Sequence, residues 1–357
     1  MSSDRPSNPG VSLPASKELS AVLGRIFDQL SLSAWMPGIV LTGGAAFMVA
    51  LSQSNPDGDF PSIASAVSQL ATPSVGGALV LAFAVVFSTV MTQAFEFEMI
   101  KLLEGYWTDR WWARQLRRRR VTSLKVEGAE VRKLAKRLER RTRKSSFGKL
   151  AGGDKALKRR LKGRVRLRAG ANEAPPDPEA DYLLMHWRTA AEPAALRRLE
   201  SVEREARNFP AAHRTMATRL GNTLRAREDR MKLADGGDLE GFILRNYERI
   251  PERLTVQVSD FRTRLNMYCT LVLAWILLTM AGIAATLTYS GLFHVTTIVT
   301  VAVCLLLARM SYAAATSSAK GYGAALLAAD EHVARVIAKT ESKPMESSGV
   351  AGRAPDE

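Results

Sequence analysis

Leu265 to Ala308 is a run of 44 residues without one Asp, Glu, Lys or Arg. That length is too great for a single membrane crossing and fits two helices of about 20 residues each, joined by a tight turn near "TYSGLFH". Two more uncharged gaps precede it. Asp28 to Asp57 encloses "WMPGIVLTGGAAFMVAL", and Asp59 to Glu96 encloses "VGGALVLAFAVVFSTVM". The link between them, "SQSNPDGDFPSIASAVSQLATPS", is rich in Ser, Pro and Asp and has no Lys or Arg. Each apolar stretch alone could be a buried helix of a soluble protein, which is also apolar all round. Four together predict an all-α integral membrane protein with transmembrane helices at about 34–53, 73–93, 266–288 and 292–310, paired into two hairpins.

Charge sets the orientation. The chain carries a net charge of +15, yet residues 101–168 alone hold 25 Lys and Arg against 6 Asp and Glu, a net of +19. Everything else therefore sums to about −4. The two hairpin loops carry no Lys or Arg, so the positive-inside rule places both termini and the central segment in the cytosol, with the protein in the inner cell membrane. The expected organisation is a polar tail over 1–30, a first hairpin over 31–93, a helix extension and polybasic segment over 94–170, and a linker over 171–181. A helical cytosolic region at 182–264 follows, then the second hairpin at 265–310, a cytosolic helix at 311–340 and a tail at 341–357. The tails are expected to be disordered, and the first lacks the pattern of a cleaved signal peptide. The two cysteines, Cys269 and Cys304, both lie in apolar stretches and offer no disulfide framework.

The second span is expected to continue without a break through "FEFEMIKLLEGYWTDRWWARQL" as one helix leaving the bilayer. Trp107, Trp111 and Trp112 are positioned to act as interfacial anchors. Beyond them Val131, Leu134, Ala135 and Leu138 share one helical face, while Arg132, Lys133, Lys136 and Arg137 fill the rest. That is the pattern of a helix lying on an anionic surface. Together with Arg117, Arg118, Arg119 and Arg120, these Trp and basic side chains are the candidate lipid-binding set, and anionic phospholipid is the expected partner. A solvated arm with no partner and a nucleic-acid ligand are the alternatives. Arg and Trp can serve single strands by stacking, but no nucleic-acid fold motif is present.

"ANEAPPDPEAD" at 171–181 switches abruptly to Pro and acid and reads as a linker. "DYLLMHWRTAAEPAALRRLESVEREARNFP" then predicts two helical pieces, the second with Pro193 in its first turn. In "ATRLGNTLRAREDRM", Arg225 is spaced to pair with Glu228 and Asp229 along a helix. This motif is expected to dock the cytosolic region on the helix leaving the second span near Glu104.

Three stretches together, "FPAAHRTMATRLGNTLRAREDR", "KLLEGYW" and "SYAAATSSAKGYGAALLAADEHVARV", resemble a group of uncharacterised multi-span actinobacterial proteins with a TRLGN-x-LRA-x-E-[DE]-R element. The group follows that element with a YGLD-like turn and a WPRL-like stretch; here "GGDLE" at 236–240 and "YERIPERL" at 247–254 stand in those places. The resemblance covers most of residues 90–335 and implies architecture, with Arg219, Gly221, Asn222, Arg225, Glu228 and Asp229 as an interaction motif. A protein partner or a homo-oligomer is the expected second contact.

Catalytic patterns are missing. "FGKLAGGDKALK" lacks the spacing of a phosphate loop and follows no strand. His186, His213, His294 and His332 are scattered, so no metal site, cofactor or enzymatic activity is expected. Thr42, Ser88, Thr89, Thr92, Thr279 and Thr286, with Gly38, Gly43, Gly44, Gly76 and Gly77, read as helix-packing positions. Gln93 and Glu96, at the cytosolic end of the second span, form a possible polar site. The functional reading is a membrane scaffold or sensor. The alternative is an oligomeric channel or small transporter, which the lack of a mid-membrane charge disfavours.

Overall fold

The computed structural model describes residues 32–53, 63–71, 74–107, 109–169, 177–231, 239–288 and 295–341. The polar tails, the first six residues of the acidic linker and most of the turn at "TYSGLFH" lie outside the described residues. No strand occurs among those that are described. The helices are α1 (Leu32–Gln53), α2 (Ile63–Ala71), α3 (Val75–Ala94), α4 (Glu96–Glu104), α5 (Trp111–Leu150) and α6 (Lys155–Ala169). They continue with α7 (Pro178–Met185), α8 (Pro193–Ala206), α9 (Arg219–Glu228), α10 (Leu239–Arg245), α11 (Glu252–Thr288) and α12 (Val295–Glu341). Three helices, α3, α11 and α12, are long and apolar enough to cross a membrane, and α1 is a shorter apolar helix over Trp35–Leu51.

The chain divides into two compact units. The first comprises residues up to Ile100 together with Ser259–Ser318. In it α1 lies against α3 at a glycine: a Cβ on Gly38 would overlap Thr89, so the missing side chain is what lets the two backbones approach. Beside this contact the Thr42 and Ser88 hydroxyls stand 2.7 Å apart, with the Gly38 and Ala84 carbonyl oxygens as acceptors at 3.0 and 3.2 Å. Gly44 meets Leu278 of α11, and a Cβ on Gly282 would stand 3.5 Å from Val301 of α12. Gly43 and Gly76, expected as packing positions too, have nothing within 4 Å. The outer face of α3 is apolar and open, with Val80 70% and Phe83 72% exposed. Water alone would not leave such a face uncovered.

The second unit comprises Lys101–Val258 and the chain from Ala319 onward. Its core is built from α5, α6, α7 and α8: Phe147, Leu161, Ala180, Leu184, Trp187 and Leu199 are buried together, with Leu138 packed against them. The apolar face of α5 is thus a core face. Leu124, Gly128, Thr142 and Phe147 are buried along the helix, and α8 packs on it. This corrects the expectation that Val131, Leu134 and Leu138 rest on lipid. Leu138 belongs to the core, Val131 is half-buried, and Leu134 alone of the three is exposed.

Two further expectations fail. The helix leaving the second span does not run on through Trp112. It breaks for one residue at Phe95, ends at Glu104 and resumes at Trp111, the stop after Glu104 being set by Gly105 at φ +101°. The Tyr106 N–H donates to the Lys101 carbonyl at 3.0 Å and the Gly105 N–H to that of Leu102 at 3.1 Å. These two bonds are those of a Schellman stop, which needs a residue free to adopt positive φ. The linker is also shorter than expected. Asp177 caps α7 through a bond from the Ala180 N–H at 3.2 Å, and Ala180 is fully buried. Asp177 and Asp181 exist there as counter-charges: Arg160 reaches Asp177 at 2.7 Å and Glu179 at 3.3 Å, and Arg164 pairs with Asp181.

Candidate functional site

The site grows from the end of α4. Stopping the helix at Gly105 leaves the Glu104 carbonyl oxygen without a helical partner. The Thr218 hydroxyl supplies one at 2.8 Å, while itself accepting the Gly221 N–H at 3.1 Å as the N-cap of α9. One side chain therefore caps one helix and ties it to the end of another 114 residues away in sequence. The contact is close enough that a Cβ on Gly221 would overlap the Glu104 carbonyl oxygen. On the far side Gly105 sits 3.2 Å from the Ala217 nitrogen, measured from where its own Cβ would be. Both glycines are demanded by approach, and Gly105 by its φ as well.

The rest of the motif holds this joint in place. Asn222 is almost fully buried; its Oδ1 accepts the Met216 N–H at 2.8 Å and its Nδ2 donates to the Met216 carbonyl at 3.1 Å. That pairing imitates a strand partner and fixes the turn entering α9. Arg225 donates to Glu228 at 2.8 Å and to the Tyr106 hydroxyl, with its guanidinium carbon 5.8 Å from the Tyr106 ring centre. Asp229 does not pair with Arg225 as its spacing predicts. It accepts the Ala211 N–H at 2.9 Å and pairs with Arg214, which also reaches Glu228 at 3.0 Å. Arg219 points away to Glu127 of α5 at 2.7 Å. Tyr106, Arg214 and Met216 complete the network, and sequence spacing along α9 does not reveal them.

Glu104 contributes a carboxyl as well as a carbonyl. Burial raises its pKa from the ordinary 4.5 to about 7; the nearby Glu228 carboxylate pushes it further up, and Arg225 pulls it back. With Arg214 and Arg225 positive and Glu228 and Asp229 negative, the cluster is neutral only while Glu104 holds its proton. A carboxyl of this kind titrates in the physiological range. The arrangement can couple a proton to the seating of α9, and it offers no nucleophile–base pair of the sort acyl or phosphoryl transfer requires.

The candidate lipid-binding residues divide into two sets. Arg132 is drawn inward: its guanidinium donates to the carbonyls of Phe209, at 3.1 Å, and Pro210. Gly128 one turn earlier gives the Phe209 ring its seat, its Cβ position being 2.8 Å from the ring. Trp107 is half-buried and donates its indole N–H to Leu102 at 3.0 Å. Lys133, Lys136 and Arg137 are exposed. So are Trp111, Trp112 and Leu116 at the start of α5, together with Arg114, Arg118, Arg119 and Arg120, while Arg117 lies 3.8 Å from Asp109. Gln93 is exposed near the end of α3, and Glu96 opens α4 with Glu98. Carboxylates in a first helical turn complement the helix dipole, which is a structural reason for both. No group of three or more His, Cys, Asp or Glu able to hold a metal exists among the described residues.

Comparison with protein-family models, curated proteins and solved structures gives no match.

Proposed function

We propose that this chain is a four-span membrane scaffold of two helical hairpins, in the inner membrane with both termini cytosolic. Its basic unit engages the anionic inner leaflet through the first turns of α5 and presents the α9 motif to a protein partner or a second copy. The single observation that carries the lipid contact is the mixed surface at the start of α5. Trp111 is 77% and Trp112 52% exposed, Leu116 stands beside them, and Arg114, Arg118, Arg119 and Arg120 interleave. A soluble protein has no use for two open indoles, whereas the water–lipid interface favours indole and guanidinium together. Each basic side chain near an anionic surface contributes about 1 kcal/mol. Four therefore give about 4 kcal/mol, and a segment already attached to membrane helices needs no further attraction to find the surface. Nucleic acid would meet the same charges and stack on the same indoles, but it lacks the tether that holds this segment at the membrane.

The test places Leu116→Cys, carrying a fluorophore, in a chain lacking Cys269 and Cys304, reconstituted in bilayer nanodiscs. Lipid-borne quenchers should reach the fluorophore in anionic discs, and less so as salt rises, because exposed charges are screened over about 8 Å at physiological ionic strength. Equal quenching in neutral discs, or displacement from anionic discs by RNA at physiological salt, would remove the lipid reading. Ion flux in liposomes would replace the scaffold with the channel alternative.

A further inference from the structure

The carboxylates of the α9 motif leave one group of arginines unmatched. Arg207 ends α8, Arg227 lies in the last turn of α9, and Arg230 follows it. Arg230 donates to the Arg207 carbonyl at 2.5 Å. The Arg227 stem is pressed against Gly323 of α12, where a Cβ would overlap it. Its Nε is buried with no hydrogen-bond partner.

Neighbouring acids are committed elsewhere. Glu228 and Asp229 serve Arg214 and Arg225, while Glu203 takes Arg188 at 2.9 Å and is 3.9 Å from Arg207. Burial first, then repulsion among the three, holds the guanidinium pKa of Arg227 and Arg230 below the ordinary value. Cations at helix ends often do no more than offset the last carbonyls. That explanation covers Arg207 and Arg230. It fails for Arg227, whose Nε meets no acceptor, and leaving a charged N–H buried and unpaired is expensive.

We propose that Arg207, Arg227 and Arg230 form a binding site for a phosphate-type dianion, carried by a small soluble phosphate or by a lipid phosphomonoester headgroup. Three guanidinium charges, partly offset by Glu203, which Arg207 shares with Arg188, leave an excess near two. A dianion with several acceptor oxygens neutralises that excess and matches the planar forks of N–H donors, whereas a carboxylate supplies one charge. The site uses none of the residues of the proposed lipid surface and does not depend on the function proposed for them.

The experiment uses the full chain in phosphatidylcholine nanodiscs, with inorganic phosphate added against chloride at equal ionic strength, and in discs doped with phosphatidic acid. Phosphate or phosphatidic acid should raise the thermal midpoint. Arg227→Gln and Arg230→Gln should each weaken the half-saturating concentration about tenfold, while Arg253→Gln, exposed and outside the cluster, keeps the wild-type response. A shift produced by phosphatidic acid alone identifies a headgroup, and one produced by free phosphate identifies a soluble ligand. Without ligand, Arg227→Gln should melt at or above the wild-type temperature, since it removes an unpaired, desolvated cation; a side chain there only for packing would lower it. If that variant fails to fold, the exposed Arg230→Gln decides. No midpoint shift in either disc, or a shift that survives both substitutions, would overturn the site.

Discussion

Glu104→Gln isolates the proton held at the joint between α4 and α9. In the docked state the Glu104 carboxyl titrates near 7, against an ordinary value of 4.5, so the docked form binds the proton more tightly than the undocked form. Stability contributed by the protonated carboxyl is therefore complete below about pH 4.5 and is lost as pH rises through about 7. A difference of roughly 2.5 pH units corresponds to about 3.4 kcal/mol at 1.36 kcal/mol per unit. The carboxyl keeps some solvent contact, and screening there lowers the expected loss to about 1–2 kcal/mol. Pulse proteolysis of the full chain in nanodiscs, read as cleavage within residues 177–258, measures the opening free energy between pH 5 and pH 8. The wild type should lose about 1–2 kcal/mol over that window, and Glu104→Gln should lose less by the same amount and exceed the wild type at pH 8. Histidines are common to both chains, so the difference between the two profiles belongs to residue 104. Parallel profiles, or a variant weaker than wild type at pH 8, would refute the reasoning.

Other changes probe the same architecture. Gly105→Ala forces a Cβ into a backbone at φ +101° and toward the Ala217 nitrogen, and it should cost roughly 1–3 kcal/mol of opening free energy in the same proteolysis assay. Arg225→Glu sets a carboxylate beside Glu228 and Glu104 and removes the bond to Tyr106; it should raise protease sensitivity across 177–258, with a cost of about 2–3 kcal/mol. Arg132→Gln should lower the thermal midpoint of the second unit by about 1–2 kcal/mol equivalent without changing the Leu116 quenching signal, because its guanidinium serves Phe209 and Pro210. Single cysteines at 65 and 290, in a chain lacking Cys269 and Cys304, should react with an impermeant thiol reagent in intact cells, and those at 150, 240 and 345 should not. Labelling at 240 would reverse the proposed orientation.

Charge-free length is a one-dimensional property, and for that reason the apolar helices were legible. Nothing about Val75–Ala94 depends on what lies far away in the chain. The helix at Pro193 was legible for a similar reason, since Pro fits the first helical turn whatever surrounds it. The basic segment was misread because one helical pattern serves two environments. A stripe of Val131, Leu134, Ala135 and Leu138 amid arginines fits a lipid surface or a protein core equally well, and the partner that decides is α8, some 50 residues on. Gly128 carries the local clue: a membrane surface gains nothing from a missing side chain there, whereas the Phe209 ring needs the space. The acidic stretch was misread for the complementary reason. Asp177 and Asp181 look like linker residues until Arg160 and Arg164 are set against them. The joint at Glu104 lies furthest from sequence reading. Gly105 and Gly221 are ordinary glycines in ordinary helical sequence, and only the meeting of the two places a buried carboxyl, a capping hydroxyl and a shared arginine around one point. The residues spaced along α9 announce a network, but half of it, the Glu104 carbonyl and the Tyr106 hydroxyl, belongs to the other side of the contact.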